Sequence, residues 1–182
     1  YTWTLAVSFG TFSGNASGQV TIAETPPVYT YMFFVSHNPG LLGTSWRSDV
    51  AVLNGSNADA QLAFTLHQAG GGLTVSPDPL PVNSTVEYVD AVSSLFQLSG
   101  DAAGPVTLVS NTPVVVTSRV YTPFGGGTMG QSYPAVAVAD AIERGTEGLL
   151  PQLQAGDAFR TNVGVLNFSA SPATVAVDFF DG

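Results

Sequence analysis

The side chains that hydrolytic chemistry requires are few and scattered along this sequence. A serine-type site needs a nucleophile, a basic histidine and an orienting carboxylate close together. The sequence has two histidines: His37 lies in the turn-forming stretch Ser-His-Asn-Pro-Gly, and His67 ends a predicted strand before a Gly-rich stretch. No Gly-x-Ser-x-Gly motif is present. We interpret both histidines as turn or edge residues and predict that the protein is not an enzyme.

The carboxylates show no recognisable pairing of the kind that a glycosidase uses for acid–base chemistry. They are spread over the chain and include Asp49, Asp59, Asp78, Glu87, Asp90, Asp101, Asp140, Glu143 and Asp157. The Asp-x-Asp-x-Asp-Gly calcium loop is also missing, although Asp178 and Asp181 flank the end of a predicted strand. We predict no cofactor, and Ca²⁺ stays open as the alternative because acidic surface proteins often bind it through loops.

The charge and cysteine content exclude several classes of partner and site. All four basic residues are arginines, and the formal net charge is −9. Because no basic patch can be assembled, we expect neither nucleic acid nor an anionic membrane as a partner. No apolar run reaches the roughly 18 residues of a membrane-spanning helix, so we expect no membrane insertion. The absence of cysteine excludes disulfides and thiolate sites.

Short runs of β-branched and aromatic residues, separated by Gly, Pro, Asn and Ser, predict an all-β fold: an antiparallel β-sandwich with one or two short helices. The predicted strands cover residues 2–8, 18–23, 29–36, 46–54, 60–67, 73–76, 85–89, 106–110, 113–121, 160–167 and 173–180. One helix is predicted after Asp90 as N-cap, with Val92, Leu95 and Phe96 on one face and Gly100 as its stop. The other is predicted over residues 137–144. The two Gly-Gly-Gly stretches, at 70–72 and 125–127, are interpreted as hairpin connections.

An internal duplication is the most informative feature of the sequence. Residues 46–54, Trp-Arg-Ser-Asp-Val-Ala-Val-Leu-Asn, align without a gap with residues 159–167, Phe-Arg-Thr-Asn-Val-Gly-Val-Leu-Asn. The match continues through Ser56/Ser169, Ala60/Ala173 and Ala63/Ala176. This pattern is too long for chance strand composition, so it indicates one supersecondary unit used twice. The spacing favours duplicated sheet units over a solenoid.

The duplicated unit places an arginine two residues before an acid or amide in each copy. On a strand these residues share a face, so Arg47 lies beside Asp49 and Arg160 beside Asn162. One interpretation is a clamp for a carboxylate or a sugar. We favour the other, in which these arginines, and Arg119 likewise, bond groups of neighbouring strands and pack their stems over the sheet.

Four Asn-x-Ser/Thr sequons offer candidate glycosylation sites, at Asn15, Asn54, Asn83 and Asn167. All four lie in predicted turns, where a glycan could be carried on the surface. The alternative is ordinary turn chemistry, in which the asparagine side chain bonds its own backbone. Asn54 and Asn167 are equivalent positions of the duplication, which supports this alternative for those two.

Several motifs carry a resemblance to an uncharacterised repeat domain of large secreted or cell-surface bacterial proteins. They are Trp46-Arg47-Ser48-Asp49-Val50, Ser118-Arg119-Val120-Tyr121, Gly127-Thr128-Met129-Gly130-Gln131 and Phe159-Arg160-Thr161-Asn162-Val163-Gly164. The N-terminal hairpin resembles the end of a PKD-like or Ig-like domain. The resemblance implies an extracellular location and a modular, structural role, and it implies no activity.

Three segments follow from these patterns. Residues 1–27 are expected to form an N-terminal hairpin, either exchanged strands or the end of a preceding Ig-like domain. Residues 28–150 should form the main sandwich. Residues 151–182 should be the start of a second repeat, which stops inside the repeat pattern and pairs with the main domain or a neighbouring subunit.

These patterns predict a structural subunit of a secreted or cell-surface fibre, self-associating by β-strand addition, with residues 1–22 or 173–182 as donors. The alternative is a carbohydrate-binding or adhesion module of a larger secreted protein, in which aromatic side chains form a platform for sugars. The candidates for such a platform are Trp3, Tyr31, Phe33, Phe34, Trp46, Tyr121, Phe124 and Tyr133. Most lie in strands with alternating apolar neighbours, which favours the core.

Overall fold

The protein is all-β and antiparallel. The computed structural model describes residues 6–9, 12–15, 28–151, 153–154, 156, 161, 163–167 and 171–180. Its strands are β1 (Ala6–Phe9), β2 (Phe12–Asn15), β3 (Tyr29–Pro39), β4 (Ser45–Asn54), β5 (Leu62–Gln68), β6 (Gly71–Val75), β7 (Ser84–Tyr88), β8 (Ala102–Ser110), β9 (Val115–Phe124), β10 (Gly127–Pro134) and β11 (Val136–Ala137). One helical turn, α1 (Ala91–Ser94), and two 3₁₀ turns, Leu41–Gly43 and Val138–Asp140, complete the described elements.

The strands from β3 onward form a sandwich with two facing layers. One layer has the strand order β11–β3–β8–β5–β6, and the other has the order β10–β9–β4–β7. The layers are continuous through two residue pairs between β3 and β4, Asn38 with Trp46 and Pro39 with Ser45. Strands β1 and β2 form a separate antiparallel hairpin. The predicted β-sandwich is therefore confirmed for the main segment.

The core lies between the two layers because each strand alternates apolar and polar residues. In β4, Val50 and Val52 are fully buried while Leu53 is exposed, as the period of two requires. Facing β5 contributes Phe64, whose ring packs edge-to-face on Tyr88 of β7 at a centroid distance of 5.8 Å. The other fully buried aliphatic side chains come mainly from β3, β5 and β8: Val35, Leu66, Val106 and Leu108.

Buried hydroxyls tie the two layers together where the backbone is otherwise unpaired. The Ser48 hydroxyl accepts a hydrogen bond from the Ser36 amide at 2.7 Å and donates to the Ser36 carbonyl at 3.2 Å. The Ser118 hydroxyl donates to the Phe34 carbonyl at 2.7 Å. Buried backbone groups must be satisfied, and these serines do so between strands of different layers.

The helix after Asp90 is confirmed, but not its capping. Val92, Leu95 and Phe96 are buried, as their shared face predicts, although the α-helical residues end at Ser94. Asp90 itself adopts a left-handed conformation, with φ of 49°, and its side chain makes no capping hydrogen bond. The carboxylate is engaged elsewhere, as described below.

The second predicted helix, over residues 137–144, is wrong. Val136–Ala137 forms the short strand β11 on β3, and the 3₁₀ turn Val138–Asp140 follows. A helix this short is marginal without tertiary packing, and Ile142 is 70% exposed here. Pairing with the edge of β3 therefore decides the local structure.

Strand β10 was not predicted, because its sequence, Gly-Thr-Met-Gly-Gln-Ser-Tyr-Pro, lacks alternating apolar residues. The glycine turn before it, at Gly125 and Gly126, has positive φ at both positions and makes the hairpin with β9 as expected. Within β10, a Cβ at Gly130 would collide with the Val120 carbonyl and the backbone of Tyr121. Glycine at this position is therefore required for the pairing.

The predicted strands at the two ends of the chain have different outcomes. Residues 173–180 are not in a strand, and every one of them is exposed, so that prediction is wrong for this structure. The described residues of the predicted strand 160–167, which are 161 and 163–167, are likewise not in a strand, and all of them except Leu166 are exposed. Near the N-terminus, β1 pairs with β2 at 12–15, while the predicted partner strand 18–23 lies outside the described residues.

Candidate functional site

A cluster of charged and polar side chains lies where β3, β4 and β9 meet the start of α1. Arg47 and Asp49 come from β4, His37 from the end of β3, and Asp90 immediately precedes α1. Neighbouring β9 brings Tyr121 opposite Arg47 in the strand register. We call these five side chains the polar cluster. In a chain with 9% charged residues, such a concentration is the strongest candidate for a site.

Asp90 is the centre of the polar cluster. Its carboxylate lies 2.9 Å from the His37 Nδ1 and 3.6 Å from the Arg47 Nε. Arg47 also donates from a terminal guanidinium nitrogen to its neighbouring Trp46 carbonyl at 2.6 Å. The Asp90 side chain is 23% exposed and the Arg47 side chain 30%. The Arg47–Asp90 ion pair is therefore partly screened by solvent. Arg47 and His37 together connect Asp90, at the start of α1, to β4 and β3.

Asp49 of β4 also contacts Asp90, through the Asp90 backbone. The Oδ1 atom of Asp49 accepts two hydrogen bonds, one from the Asp90 backbone amide at 2.9 Å and one from the Tyr121 hydroxyl at 3.1 Å. The Asp90 backbone therefore has a side-chain partner in Asp49, at a residue with a φ of 49°. Arg47 and Asp49 thus both contact Asp90. The partners of Arg47 are the Trp46 carbonyl of its own strand and Asp90 before α1, so the predicted bonding of Arg47 to neighbouring strands stays a prediction.

Tyr121 has a raised pKa. Burial is the largest cause, and the negative charge of Asp49, its hydrogen bond with the phenol, and the charge of Asp90 add to it. The Arg119 guanidinium, which lies 4.9 Å from the centre of the Tyr121 ring, lowers the pKa in the opposite direction. Arg119 also donates to the Thr128 hydroxyl of β10 at 2.6 Å. Arg119 therefore links β9 to the edge strand.

Within the described residues, the side chains of the polar cluster bond one another and neighbouring backbone groups. A hydrolytic site needs a nucleophile within hydrogen-bond reach of its base, whereas the recorded partner of the His37 ring is Asp90. The other histidine, His67, bonds the Thr107 hydroxyl at 2.7 Å on the exposed face of β5 and β8. We interpret the polar cluster as a set of structural contacts that connect β3 and β4 to the start of α1.

A second group of hydrogen bonds, centred on Asn54, stabilises the loop between β4 and β5. The Asn54 side chain is fully buried, and its amide nitrogen donates to the carbonyls of Ala58, Leu80 and Pro81 at 2.9, 3.0 and 3.1 Å. Its oxygen accepts from the Ser56 amide and hydroxyl at 3.0 and 2.7 Å. This is the turn chemistry that the sequence offered as the alternative to glycosylation. A glycan on this nitrogen would require the loop to open.

The other sequons differ in their surroundings. Asn83 is exposed, has a φ of 53°, and lies in the turn before β7, so its side chain is accessible. Asn167 donates to the Ser171 carbonyl at 2.8 Å, which repeats the Asn54–Ala58 bond at the equivalent position of the duplication. Asn15 ends β2, and the structure describes its backbone alone.

The duplication places matching apolar side chains in opposite environments. In the first copy, Val50, Val52, Leu62, Phe64 and Leu66 are at most 3% exposed. Their equivalents in the second copy are between 43% and 78% exposed: Val163, Val165, Val175, Val177 and Phe179. We call these five the exposed repeat residues. Arg160 and Asn162, the equivalents of Arg47 and Asp49, lie outside the described residues.

The remaining candidate sites are not assembled in the described part of the chain. There, no group of three His, Cys, Asp or Glu side chains lies together as a metal site would require, and Asp181 is not described. Among the candidate platform aromatics, Phe33 is buried and Trp3 lies outside the described residues. Of the exposed ones, Phe34 lies in one layer, whereas Phe124 and Tyr133 lie in the other, at opposite ends of the β9–β10 pairing. None of the described helices is long and apolar enough to cross a membrane.

Comparison with known proteins adds little to these observations. Neither the protein-family models nor the curated proteins give a match to this chain. A solved structure titled "Crystal Structure of Thermotoga maritima 1070" is similar, with 11% sequence identity and a TM-score of 0.42. The similarity covers 60% of this chain and 91% of that chain. At this level it carries no argument about fold or function.

Proposed function

We propose that this protein is a structural module of a secreted or cell-surface fibre or appendage, and that its copies join by β-strand addition. One observation carries the proposal: the exposed repeat residues occupy positions that are buried in the first copy of the unit. Exposed apolar side chains that match core positions are candidates for an interaction site. The resemblance to repeat domains of secreted bacterial proteins supports the extracellular setting.

The free energy gained by burying the exposed repeat residues is consistent with an association that depends on concentration. Fully burying a Val, Leu or Phe side chain stabilises by about 1.5–3 kcal/mol, and the exposed repeat residues are already partly shielded. Together they supply about 4–10 kcal/mol, which is comparable to the estimated 4–15 kcal/mol cost of association. The backbone hydrogen bonds of an added strand must therefore contribute. A head-to-tail contact that does not close on itself produces an open polymer.

Sedimentation velocity over a wide range of chain concentrations tests this proposal. We expect the weight-average sedimentation coefficient to rise continuously with concentration, because an open polymer has no preferred end size. A chain that sediments as a monomer at every concentration would refute the proposal. Growth that stops at a dimer would refute the polymer while leaving self-association in place.

A glycan on Asn83 is part of the same proposal, since its side chain is exposed, whereas the Asn54 side chain is buried and the exposed Asn167 donates to the Ser171 carbonyl. Intact-mass measurement of material from the native source, followed by the Asn83→Gln variant, tests this directly. We expect an added mass that disappears in the variant. An added mass that survives the substitution would place the modification elsewhere.

An adhesion module is the second candidate function, and one surface favours it. Leu41 and Leu42 of the β3–β4 turn are 68% and 102% exposed, and Phe124 at the β9–β10 turn is 67% exposed. The register that pairs Arg47 with Tyr121 brings the two turns to the same end of the sandwich. A polysaccharide pull-down with the native chain and the Phe124→Ser variant separates this function from the first. Saturable binding that the variant loses would favour adhesion.

A further inference from the structure

We infer that the outer edge of β10 is the acceptor for residues 173–180 of a second copy of this chain. The inference rests on the proposed function and assigns both surfaces of the contact. Val175, Val177 and Phe179 would face the sandwich core of the acceptor copy, and the residues between them would face outward.

The donor's orientation follows from the duplication. Residues 173–180 correspond to residues 60–67, which include most of β5. In β5 the side chains of Leu62, Phe64 and Leu66 point into the core. Their equivalents are Val175, Val177 and Phe179, which alternate with Thr174, Ala176 and Asp178 in the period of a strand buried on one face.

The turn before the donor is already shaped as in the first copy. Asn167 donates to the Ser171 carbonyl at 2.8 Å, and Asn54 donates to the Ala58 carbonyl at 2.9 Å. Both bonds join a residue to the carbonyl four positions later and precede the strand of the unit. A donor preorganised at its start loses less conformational freedom when it pairs.

The acceptor is an open edge. All eight residues of β10 are exposed, and within the described part of the chain its pairing is with β9 on one side. Met129 and Tyr133 pair with the buried Thr122 and Ser118, so they lie on the inward face, yet they are 47% and 37% exposed. A strand added at this edge with three inward apolar residues would continue that face and cover both side chains.

The lengths of the two segments match this pairing better than the other edges do, and their low charge is compatible with contact between copies. β10 spans eight residues, as does the donor, whereas the edge strands β6 and β7 have five each. Each copy carries a net charge of −9, so contact between copies is least unfavourable at uncharged segments. β10 contains no charged residue, and the donor contains one, Asp178, at an outward position. Edge strands are usually protected by such charges, and β10 is not.

The acceptor belongs to a second copy because a single chain leaves the donor uncovered. In the described structure of one chain, every residue from 173 to 180 is exposed, including those that match core positions. The position of the β5 strand in the chain's own core is already filled by Leu62, Phe64 and Leu66. The interior strands β8 and β9 are likewise paired on both sides.

Disulfide trapping tests the contact, since the chain contains no cysteine. The Gln131→Cys variant carries a thiol at the centre of β10, and the Val177→Cys variant carries one at the centre of the donor. We expect a mixed disulfide of twice the chain mass when the two variants are mixed and oxidised. The matched control is Leu73→Cys at the centre of the edge strand β6, because Leu73 pairs with the buried Leu66 and lies on the inward face, as Gln131 does. It should give much less of this product with Val177→Cys.

Hydrogen exchange on the unmodified chain provides the second readout. We expect the β10 amides to exchange about tenfold more slowly at a concentration tenfold above the dissociation constant. The double variant Val175→Asp/Val177→Asp should abolish this protection, because it buries charges. Thr174→Asp/Ala176→Asp should largely retain it, because those side chains face outward.

The outcomes separate this inference from the proposed function. Association without the mixed disulfide or the β10 protection would overturn the assigned contact and leave assembly intact. A chain that carries both cysteines could instead form the disulfide within itself, with hydrogen-exchange protection of β10 that does not depend on concentration. That result would show that β10 receives the donor of its own chain, and it would refute the contact between two copies. A chain that is monomeric at all concentrations would overturn both.

Discussion

Replacing Asn54 by alanine should destabilise the main sandwich far more than replacing its duplicate, Asn167. Asn54 is fully buried and makes five recorded side-chain hydrogen bonds. A net hydrogen bond is worth about 1 kcal/mol, and a buried group left without a partner costs about 1–3 kcal/mol. The Leu80 carbonyl keeps its bond from the Ala60 amide at 2.9 Å, which limits the loss. We therefore expect Asn54→Ala to cost about 2–4 kcal/mol.

Asn167→Ala is the matched control. Asn167 occupies the equivalent position and makes the equivalent bond to Ser171, but its side chain is exposed. Exposed substitutions usually change stability by about 0.5 kcal/mol or less. Urea unfolding of both variants at low chain concentration, where copies are separate, measures the two free energies. The m-value should not change in either variant.

Equal losses for the two variants would refute the reasoning. A large cost for Asn167→Ala in the dilute chain would show that the second unit is packed within one copy. A small cost for Asn54→Ala would show that the β4–β5 loop does not depend on this side chain.

Three further predictions concern the core and the polar cluster. Phe64→Ala should cost about 3–5 kcal/mol by leaving a cavity, while Val177→Ala at the equivalent exposed position should cost under about 0.5 kcal/mol in the dilute chain; urea unfolding measures both. The Tyr121 phenol is neutral in the fold and its pKa is raised from 10.0, so stability should fall as pH rises from about 10 towards the folded pKa. Tyr121→Phe should weaken this fall in a pH series of unfolding curves, and an unchanged series would contradict it. Asp90→Ala should lower the free energy of unfolding by about 1 kcal/mol, a value discounted for the partial exposure of the side chain. It should also speed hydrogen exchange of the α1 amides. Unchanged exchange in α1 would show that the polar cluster does not anchor this helix.

Most of the fold was predictable because its strands carry local signals. The alternation of Val50, Val52 and Asn54 in β4, and of Leu62, Phe64 and Leu66 in β5, follows the period of a strand buried on one face. The glycines at 125 and 126 likewise marked a hairpin through the positive φ that they permit. These signals lie within a few residues of one another, so the sequence contains them directly.

The missed and wrong elements depend on partners that local sequence does not show. β10 is a strand because β9 lies beside it, and its own residues lack alternation. Residues 173–180 have the alternation of a strand, but in the described structure they are exposed and pair with no neighbouring strand. A pattern therefore predicts the tendency to pair but not the presence of the partner.

The polar cluster was predictable only in part. Arg47 and Asp49 share a face of β4 because they are two residues apart. The meeting of His37 with Asp90 joins residues 53 positions apart, and nothing local to either one indicates the other. Asp90 resembled an N-cap by type and place, but its carboxylate is held by His37 and Arg47. Tertiary contacts thus override the local preference.

Electron microscopy of material from the native source, combined with its intact mass, tests the central claim most directly. Strand addition between copies predicts filaments built from one repeating unit that contains this chain, together with any glycan. Discrete monomers, with no filaments at any concentration, would contradict the claim.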